Sequence, residues 1–397
     1  MNIFNADLTT SLFAAVYQRT AQLESLANNA IKNGIDRYIE KDYEGAAKEF
    51  KRAIGLAPNS SYAPDAADYL ANSYIKLGQT EDAVKAYQTA IRLNPFRDDM
   101  HIKLGNLYYA EEKYQEAEKA YQEAVRINPA ANNHYALGQV YLATERYTEA
   151  ENRFNEVLRL TPDSPNGNFG IGQALSMQER YEDAIRQFEE AIEKDAKLYD
   201  AHVEMGYAYA DMGDMEAAQD LVHYLELQEQ DDLADTLSRY MYKVDSPKIM
   251  FAQSAGTFSF LMAPKTPLSA LNTYLATADT SKTFTMVLQF DKEMERESVE
   301  NVANWQITRT TGYGPGQAYN FGLPIPSTEV TPSPVPQSVY YDEDKLTATV
   351  FFNVRQNASA DGTIDPMHIE FKFSGKDIFG YEMDPDHDQF TGFSGSF

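Results

Sequence analysis

The stretches YQTAIRLNP (87–95), YQEAVRINP (121–129) and FNEVLRLTP (154–162) end alike, with an aromatic residue eight positions before a proline. A fourth stretch, FKRAIGLAP (50–58), precedes them and has the same two landmarks. The four closing prolines are spaced at intervals of 33 to 37 residues. A block that recurs at this period indicates repeated supersecondary units, each of which must stack on its neighbours to bury its apolar face.

Each copy carries two further landmarks upstream of the proline. An alanine lies twelve residues before it, and a glycine or alanine lies about twelve residues earlier again: Ala46, Ala83, Ala117 and Ala150, with Gly34, Ala71, Gly105 and Gly138. Two weaker copies follow, marked by Gly172 and Gly206. Small residues let two helix backbones approach closely, the aromatic ring fills the space beside them, and proline ends the second helix.

This pattern resembles the tetratricopeptide repeat (TPR) family over about residues 27–230. The resemblance implies six antiparallel helix pairs stacked into an α-solenoid. We assign residues 27–245 to the solenoid, with EQDDLADTLSRYMYK (229–243) as a closing helix. Residues 1–26 form an extra amphipathic stretch, for which we predict an N-terminal cap helix. The alternative is a helix that swaps into another subunit or serves as an export signal.

The composition changes near residue 245, where Phe, Thr, Ser, Pro and Val become prominent. Apolar residues alternate in TFTMVLQF (283–290), LTATVFFNV (346–354), HIEFKF (368–373) and GTFSFLM (256–262). Period-two alternation in short segments predicts half-buried antiparallel strands. The fold class is therefore multidomain α plus β, with residues 246–397 as a β-sandwich.

Two stretches of this second part, LQFDKEMERESVENVANWQI (288–307) and FSGKDIFGYEMD (373–384), look like the bacterial Ig-like domain of surface-layer and other envelope proteins. The resemblance implies an Ig-like β-sandwich. The Pro- and Gly-rich insertion at 312–337 departs from that family's pattern, and its composition predicts an extended surface loop.

The charge balance excludes several classes of partner. The formal net charge is −26, which argues against duplex DNA and against insertion into an anionic membrane. No apolar run is long enough for a spanning helix, and the first twenty residues lack the basic start and the long apolar core of a secretory signal. We therefore expect a cytoplasmic location by default. Export, or display at the cell surface by a non-classical route, is the alternative.

No catalytic fingerprint appears, so we predict no enzymatic activity, no cofactor and no metal. Cysteine is absent, which excludes thiolate metal ligands and a Cys nucleophile. Three histidines, His101, His134 and His202, recur at one repeat position, which predicts packing between helices. Asp384, Asp386 and Asp388 alternate like the start of a calcium loop, but Gln389 and Gly395 stand where an EF-hand needs Gly and Glu. Calcium binding near Asp384–Asp388 stays open.

The TPR resemblance implies that the first helix of each pair lines a concave groove. One exposed register position of those helices gives an amide ladder that ends on an aromatic residue: Asn72, Asn106, Gln139, Gln173 and Tyr207. An amide both donates and accepts hydrogen bonds, so it can pair with the backbone of an extended peptide. Apolar residues surround the ladder: Ile102, Tyr109, Tyr135, Phe169 and Met177. Five acids fringe it with negative charge: Asp65, Asp68, Asp99, Asp200 and Glu204.

We therefore predict a non-catalytic scaffold that binds a peptide or helix of a protein partner in the TPR groove. The Ig-like domain would make a second contact with a partner or would position the TPR groove. The alternative is an exported structural component of a bacterial envelope, appendage or filament, in which the chain self-assembles.

Overall fold

The computed structural model describes residues 6–312 and 317–392, and the chain divides into two compact units, Met1–Leu237 and Ser238–Phe397. The division falls inside the helix Asp231–Val244, whereas the sequence placed the boundary after residue 245. Composition changes where this helix ends, but packing changes earlier. Leu237 packs against Gly206 of the first unit, and the carbonyl oxygen of Tyr242 is hydrogen-bonded to Lys292 within the second.

Thirteen α-helices occupy residues 6–244, and they form six consecutive pairs followed by a closing helix. Their bounds are α1 Ala6–Ile39, α2 Tyr43–Leu56, α3 Ala63–Lys76, α4 Thr80–Leu93, α5 Asp98–Ala110, α6 Tyr114–Ile127, α7 Ala131–Ala143, α8 Tyr147–Leu160, α9 Asn166–Ser176, α10 Tyr181–Lys194, α11 Tyr199–Asp211, α12 Met215–Leu227 and α13 Asp231–Val244. The predicted solenoid of helix pairs is confirmed.

The N-terminal segment is not a separate cap helix. α1 runs for 34 residues from the segment assigned to 1–26 into the first repeat. The reason is local, because no proline or glycine interrupts the chain between Ala6 and Gly34. Val16 and Tyr17 on this helix are 57% and 77% exposed, so this part of α1 has an apolar surface in contact with solvent.

In four of the six helix pairs an aromatic ring from the second helix lies against a glycine of the first helix. A Cβ atom built on Gly34 would lie 2.7 Å from Phe50, and one on Gly138 would lie 2.6 Å from Phe154. The sixth pair differs, because Val222 replaces the aromatic residue. Gly206 there packs against Leu237 of α13, which closes the array.

The recurrent histidines pack between helices, as the sequence predicted. His134 and His202 are buried and His101 is half-buried. The His202 ring stacks on Tyr224 at a centroid distance of 4.6 Å, and its Nδ1 atom lies 3.2 Å from the carbonyl oxygen of Leu198. Burial lowers the pKa of all three imidazoles below the ordinary value of 6.5.

Acidification is expected to destabilise the helical unit through these histidines. Since their folded pKa is lowered, the unfolded chain binds more protons than the folded chain once the pH falls below about 6.5. Replacing His134 with Leu and His202 with Phe should therefore shrink the loss of melting temperature between about pH 7.5 and about pH 5.5. Thermal unfolding followed by circular dichroism at 222 nm gives the melting temperature at each pH. His223→Gln, at an exposed side chain, serves as the control. An unchanged pH dependence in the double variant would contradict the assignment.

The described residues of the second unit form three antiparallel sheets, with strand orders β1-β3-β6-β5, β2-β7 and β4-β8-β9. The strands are β1 Ile249–Gln253, β2 Thr266–Pro267, β3 Ser281–Phe290, β4 Trp305–Arg309, β5 Ser338–Asp342, β6 Thr347–Arg355, β7 Thr363–Ile364, β8 Ile369–Phe373 and β9 Gln389–Phe390. Two short helices accompany them, α14 Leu268–Leu271 and α15 Arg296–Glu300. Phe352 of β6 and Phe371 of β8 have ring centroids 5.2 Å apart, so the two larger sheets share one aromatic core.

The predicted strand at 256–262 is not a strand. Phe258 enters the core, and its backbone amide donates to the Thr285 carbonyl oxygen of β3 at 3.1 Å, but the segment has no strand conformation. A Cβ atom on Gly256 would lie 2.6 Å from the Thr285 carbonyl oxygen, and the side chains of Thr257 and Thr285 are hydrogen-bonded to each other at 3.1 Å. The alternation of apolar residues in this segment therefore predicted the burial of Phe258 correctly, but it did not predict the absence of strand pairing.

The insertion at 312–337 is not simply an extended surface loop. Residues 313–316 lie outside the described part, but Tyr319 and Asn320 are only 7% and 2% exposed. The buried carboxylate of Asp365 accepts a hydrogen bond from the backbone N–H of Asn320 at 2.7 Å, and the backbone N–H of Asp365 donates to the Tyr319 hydroxyl at 3.2 Å. Further along, the Ile307 amide donates to the Pro334 carbonyl at 2.8 Å, so the insertion covers an edge of β4.

Candidate functional site

The predicted site residues lie on the first helices of the pairs or at their ends. We call them the A-helix surface: Asn72 on α3, Ile102, Asn106 and Tyr109 on α5, Tyr135 and Gln139 on α7, Phe169, Gln173 and Met177 on or beside α9, and Tyr207 on α11. None of these ten side chains is buried. They are therefore available as a surface, but their hydrogen bonds divide them into two groups.

The two asparagines are bonded to tyrosines of the second helix of their own pair. The Tyr87 hydroxyl donates to Asn72 Oδ1 at 3.2 Å, and the Tyr121 hydroxyl donates to Asn106 Oδ1 at 2.7 Å. Asn72 Nδ2 also donates to Asp68 at 3.1 Å. Both the oxygen and the nitrogen of the Asn72 side-chain amide are therefore occupied. Asn106 Oδ1 accepts the hydrogen bond of the largely buried Tyr121 hydroxyl.

The two glutamines are bonded to the next repeat. Gln139 Nε2 donates to Gln173 Oε1 at 3.2 Å, and Gln173 Nε2 donates to Glu204 Oε1 at 3.1 Å. We call Gln139, Gln173 and Glu204 the amide chain. The second-helix aromatic residues of these pairs are Phe154 and Phe188, which have no hydroxyl to occupy the amides.

The predicted ladder is therefore not one uniform row. A signal in the sequence marks the difference: the residue fifteen positions after each asparagine is tyrosine, whereas it is phenylalanine after each glutamine.

The aromatic residues of the surface rest on rings of the second helices. Tyr135 and Phe154 have centroids 5.4 Å apart, and Phe169 and Phe188 are 6.0 Å apart. One side of each surface ring is thus fixed by packing, and the side chain stays partly exposed. A shallow depression of about 240 Å³ lies near Asn106 and is lined by Ile75, Tyr87, Lys103, Asn106, Leu107 and Ala110.

The acidic fringe is largely neutralised at one end. Arg97 is bonded to Asp65 and Asp99 at 2.7 Å each, and Lys103 is bonded to Asp68 at 2.6 Å. The Arg97 guanidinium holds the pKa of Asp99 below its ordinary value. Arg97 and Lys103 therefore offset most of the negative charge that the sequence predicts for this end.

At the other end, the described part of the chain places no Lys or Arg in ion-pair contact with Asp200 or Glu204. Burial raises the pKa of Glu204, its neighbour Asp200 raises it further, and the hydrogen bond from Gln173 opposes the shift. Burial also raises the pKa of Tyr135, with smaller contributions from both carboxylates. Tyr135 therefore lies near both acids, although it belongs to α7 and they belong to α11.

The alternating aspartates near the C-terminus do not form a cage. Asp384 accepts hydrogen bonds from the Asp386 amide and from His387 Nδ1, each at 2.9 Å. Across residues 6–312 and 317–392, no group of three or more His, Asp or Glu side chains is arranged to hold a metal ion.

Within the same described ranges, none of the helices combines the length and the apolar character that a bilayer span needs.

Comparisons with known proteins agree with the helical architecture. One tetratricopeptide repeat family model matches residues 70–132 and 135–198, and a second matches 175–238. No curated protein matches the chain.

Similar solved structures include a tetratricopeptide repeat protein from Parabacteroides merdae, with 16% identity, 55% of this chain and 93% of that chain covered, and a TM-score of 0.47. They also include MamA, with 22% identity, 43% and 93% covered, and a TM-score of 0.39. YrrB, a TPR protein, is 23% identical, with 49% and 100% covered and a TM-score of 0.38. On the evidence of the family models and the helix pairs, residues 70–238 of this chain consist of tetratricopeptide repeats.

Proposed function

We propose that this chain is a non-catalytic scaffold whose A-helix surface binds an extended peptide or a helix of a protein partner. The observation that carries the proposal is the amide chain, which lies on three successive repeats beside the aromatic side chains of Tyr135 and Phe169. TPR domains serve as interaction modules, and this surface has the chemistry that such binding needs.

Each amide of the chain keeps hydrogen-bonding capacity for a ligand. A primary amide has two N–H donors and two acceptor lone pairs. Gln139 uses one donor toward Gln173 and is also hydrogen-bonded to the Tyr135 hydroxyl, and Gln173 uses one donor and one lone pair. The remaining groups suit the alternating N–H and C=O groups of a peptide backbone. The aromatic residues beside them supply partly exposed apolar area for a side chain of the ligand.

We further propose that the second unit is Ig-like and provides a second contact or positions the first. Its two larger antiparallel sheets with one shared aromatic core support this assignment. An exported, self-assembling component remains the alternative function. The exposed apolar side chains of α1, including Val16 and Tyr17, favour self-association.

Removing the amide chain's glutamines should weaken peptide binding. Peptides enriched from a random library on the full chain would be measured by fluorescence anisotropy. Gln139→Ala combined with Gln173→Ala should raise Kd roughly tenfold, since each lost hydrogen bond contributes about 0.5–1.5 kcal/mol. Gln88→Ala with Gln122→Ala removes two amides from second helices and should change Kd less than about twofold.

Unchanged affinity in the Gln139/Gln173 variant would refute the assignment of this surface. Sedimentation velocity on the same samples separates ligand binding from self-assembly. Asn106 is unsuitable for the test, because its removal would leave the Tyr121 hydroxyl without its acceptor and disturb the fold.

A further inference from the structure

We propose that the ligand segment carries a lysine or arginine side chain, which binds beside Asp200 and Glu204 at the α11 end of the A-helix surface. This inference rests on the proposed function, and it names the chemistry of the partner. It follows from a difference between the two ends of one surface.

At the α3–α5 end the acids already have partners within the chain. Arg97 is shared between Asp65 and Asp99, and Lys103 binds Asp68, so this end offers little net charge to a ligand. At the α11 end, the described residues supply no cation to Asp200 or Glu204. A cationic side chain of a ligand is therefore attracted to one end of the surface and not to the other.

Glu204 is also held in place. The hydrogen bond from Gln173 orients its carboxylate, and Gln173 is in turn bonded by Gln139. A partly buried carboxylate without a cation is costly, and a ligand cation that approaches it offsets that cost. Charge complementarity therefore selects a cationic residue at this position of the ligand.

The neighbouring aromatic residue suits the same occupant. Tyr135 lies near both carboxylates and is itself partly exposed. Its ring can accompany a lysine or arginine stem, and its face favours a cation. The amide chain runs from Gln139 through Gln173 to Glu204. A peptide whose backbone is hydrogen-bonded to the two glutamines therefore extends to the carboxylate of Glu204.

A double-mutant cycle on the full chain tests the proposal. Enriched peptides should contain Lys or Arg at one fixed position. Replacing that residue with the neutral isostere citrulline or norleucine should weaken binding to the unmodified chain at least about tenfold. In Glu204→Gln, which keeps a hydrogen-bond acceptor for Gln173, the same peptide change should cost less than about twofold.

Asp65→Asn is the matched control, because it removes one acid of the same surface while Arg97 keeps Asp99. It should leave the full tenfold effect of the peptide change. Enrichment without a fixed cation, or an equal loss on Glu204→Gln and on the unmodified chain, overturns the inference. If such peptides still respond to Gln139→Ala/Gln173→Ala, the proposed function stands. If no peptide is enriched, both are overturned.

Discussion

Replacing Phe154 with alanine is expected to lower the free energy of unfolding of the helical unit by about 3–5 kcal/mol. Its ring is fully buried between Gly138 of α7 and Gly170 of α9. Glycines on both sides have no side chain that could move into the space, so the cavity would persist. The expected cost therefore equals the range known for buried aromatic residues. Urea denaturation followed by circular dichroism at 222 nm measures it.

Phe96→Ala is the matched control, because Phe96 lies in the same unit and is 77% exposed. It should shift the free energy of unfolding by less than about 0.5 kcal/mol. Trp305, the one tryptophan of the sequence, is buried in the second unit, so its fluorescence should be unchanged by either variant. A loss below about 1 kcal/mol for Phe154→Ala would show that the helices close around the missing ring.

Replacing Lys292 with methionine is expected to destabilise the second unit by about 3–5 kcal/mol. Lys292 is 2% exposed, and its Nζ atom lies 2.8 Å from Asp377 Oδ2. It also donates to the carbonyl oxygens of Tyr242 and Asp245, each at 2.7 Å. Methionine fills a similar volume but leaves a buried carboxylate without its cation. The fluorescence of Trp305 during denaturation reports the loss.

Two further variants separate charge from packing. Lys248→Met removes a half-exposed lysine paired with Asp245 and should cost at most about 1 kcal/mol. Adding Asp377→Asn to Lys292→Met should recover part of the lost stability, because a neutral side chain is less costly to bury. Failure of the double variant to recover any stability would mean that packing around Lys292, not its charge, dominates.

The helical architecture was predictable because its determinants are local. In four of the six pairs a glycine meets an aromatic residue sixteen positions later, as in Gly138 and Phe154, and the pattern repeats along the helical unit. The strands β3, β6 and β8 were predictable for a similar reason, since period-two alternation reports a half-buried sheet. The ordered part of the insertion was not, because the contacts of Tyr319 and Asn320 are made to Asp365, about 45 residues away.

The sequence predicted where the candidate site residues lie, but not which residues are their hydrogen-bond and ion-pair partners. The helical register places the ten residues on the first helices, whereas the partners of Gln139 and Gln173 lie one repeat further along. Arg97 and Asp65 are 32 residues apart, and Gln139 and Gln173 are 34 apart. These separations approach the repeat length, so charge and amide partners could be sought at that spacing. The pKa shift of Glu204 requires the packed structure, because it depends on burial.

The difference between Asn–Tyr and Gln–Phe pairs limits how far the repeats of this chain can be exchanged. A tyrosine hydroxyl placed at residue 154 would meet a glutamine that is committed to the next repeat, and a phenylalanine at residue 121 would leave Asn106 without its donor. The four central pairs, α3/α4 to α9/α10, are thus of two kinds, and the change from one kind to the other falls between α6 and α7. Recombination or repeat design must move residues 15 positions apart together, as a linked pair.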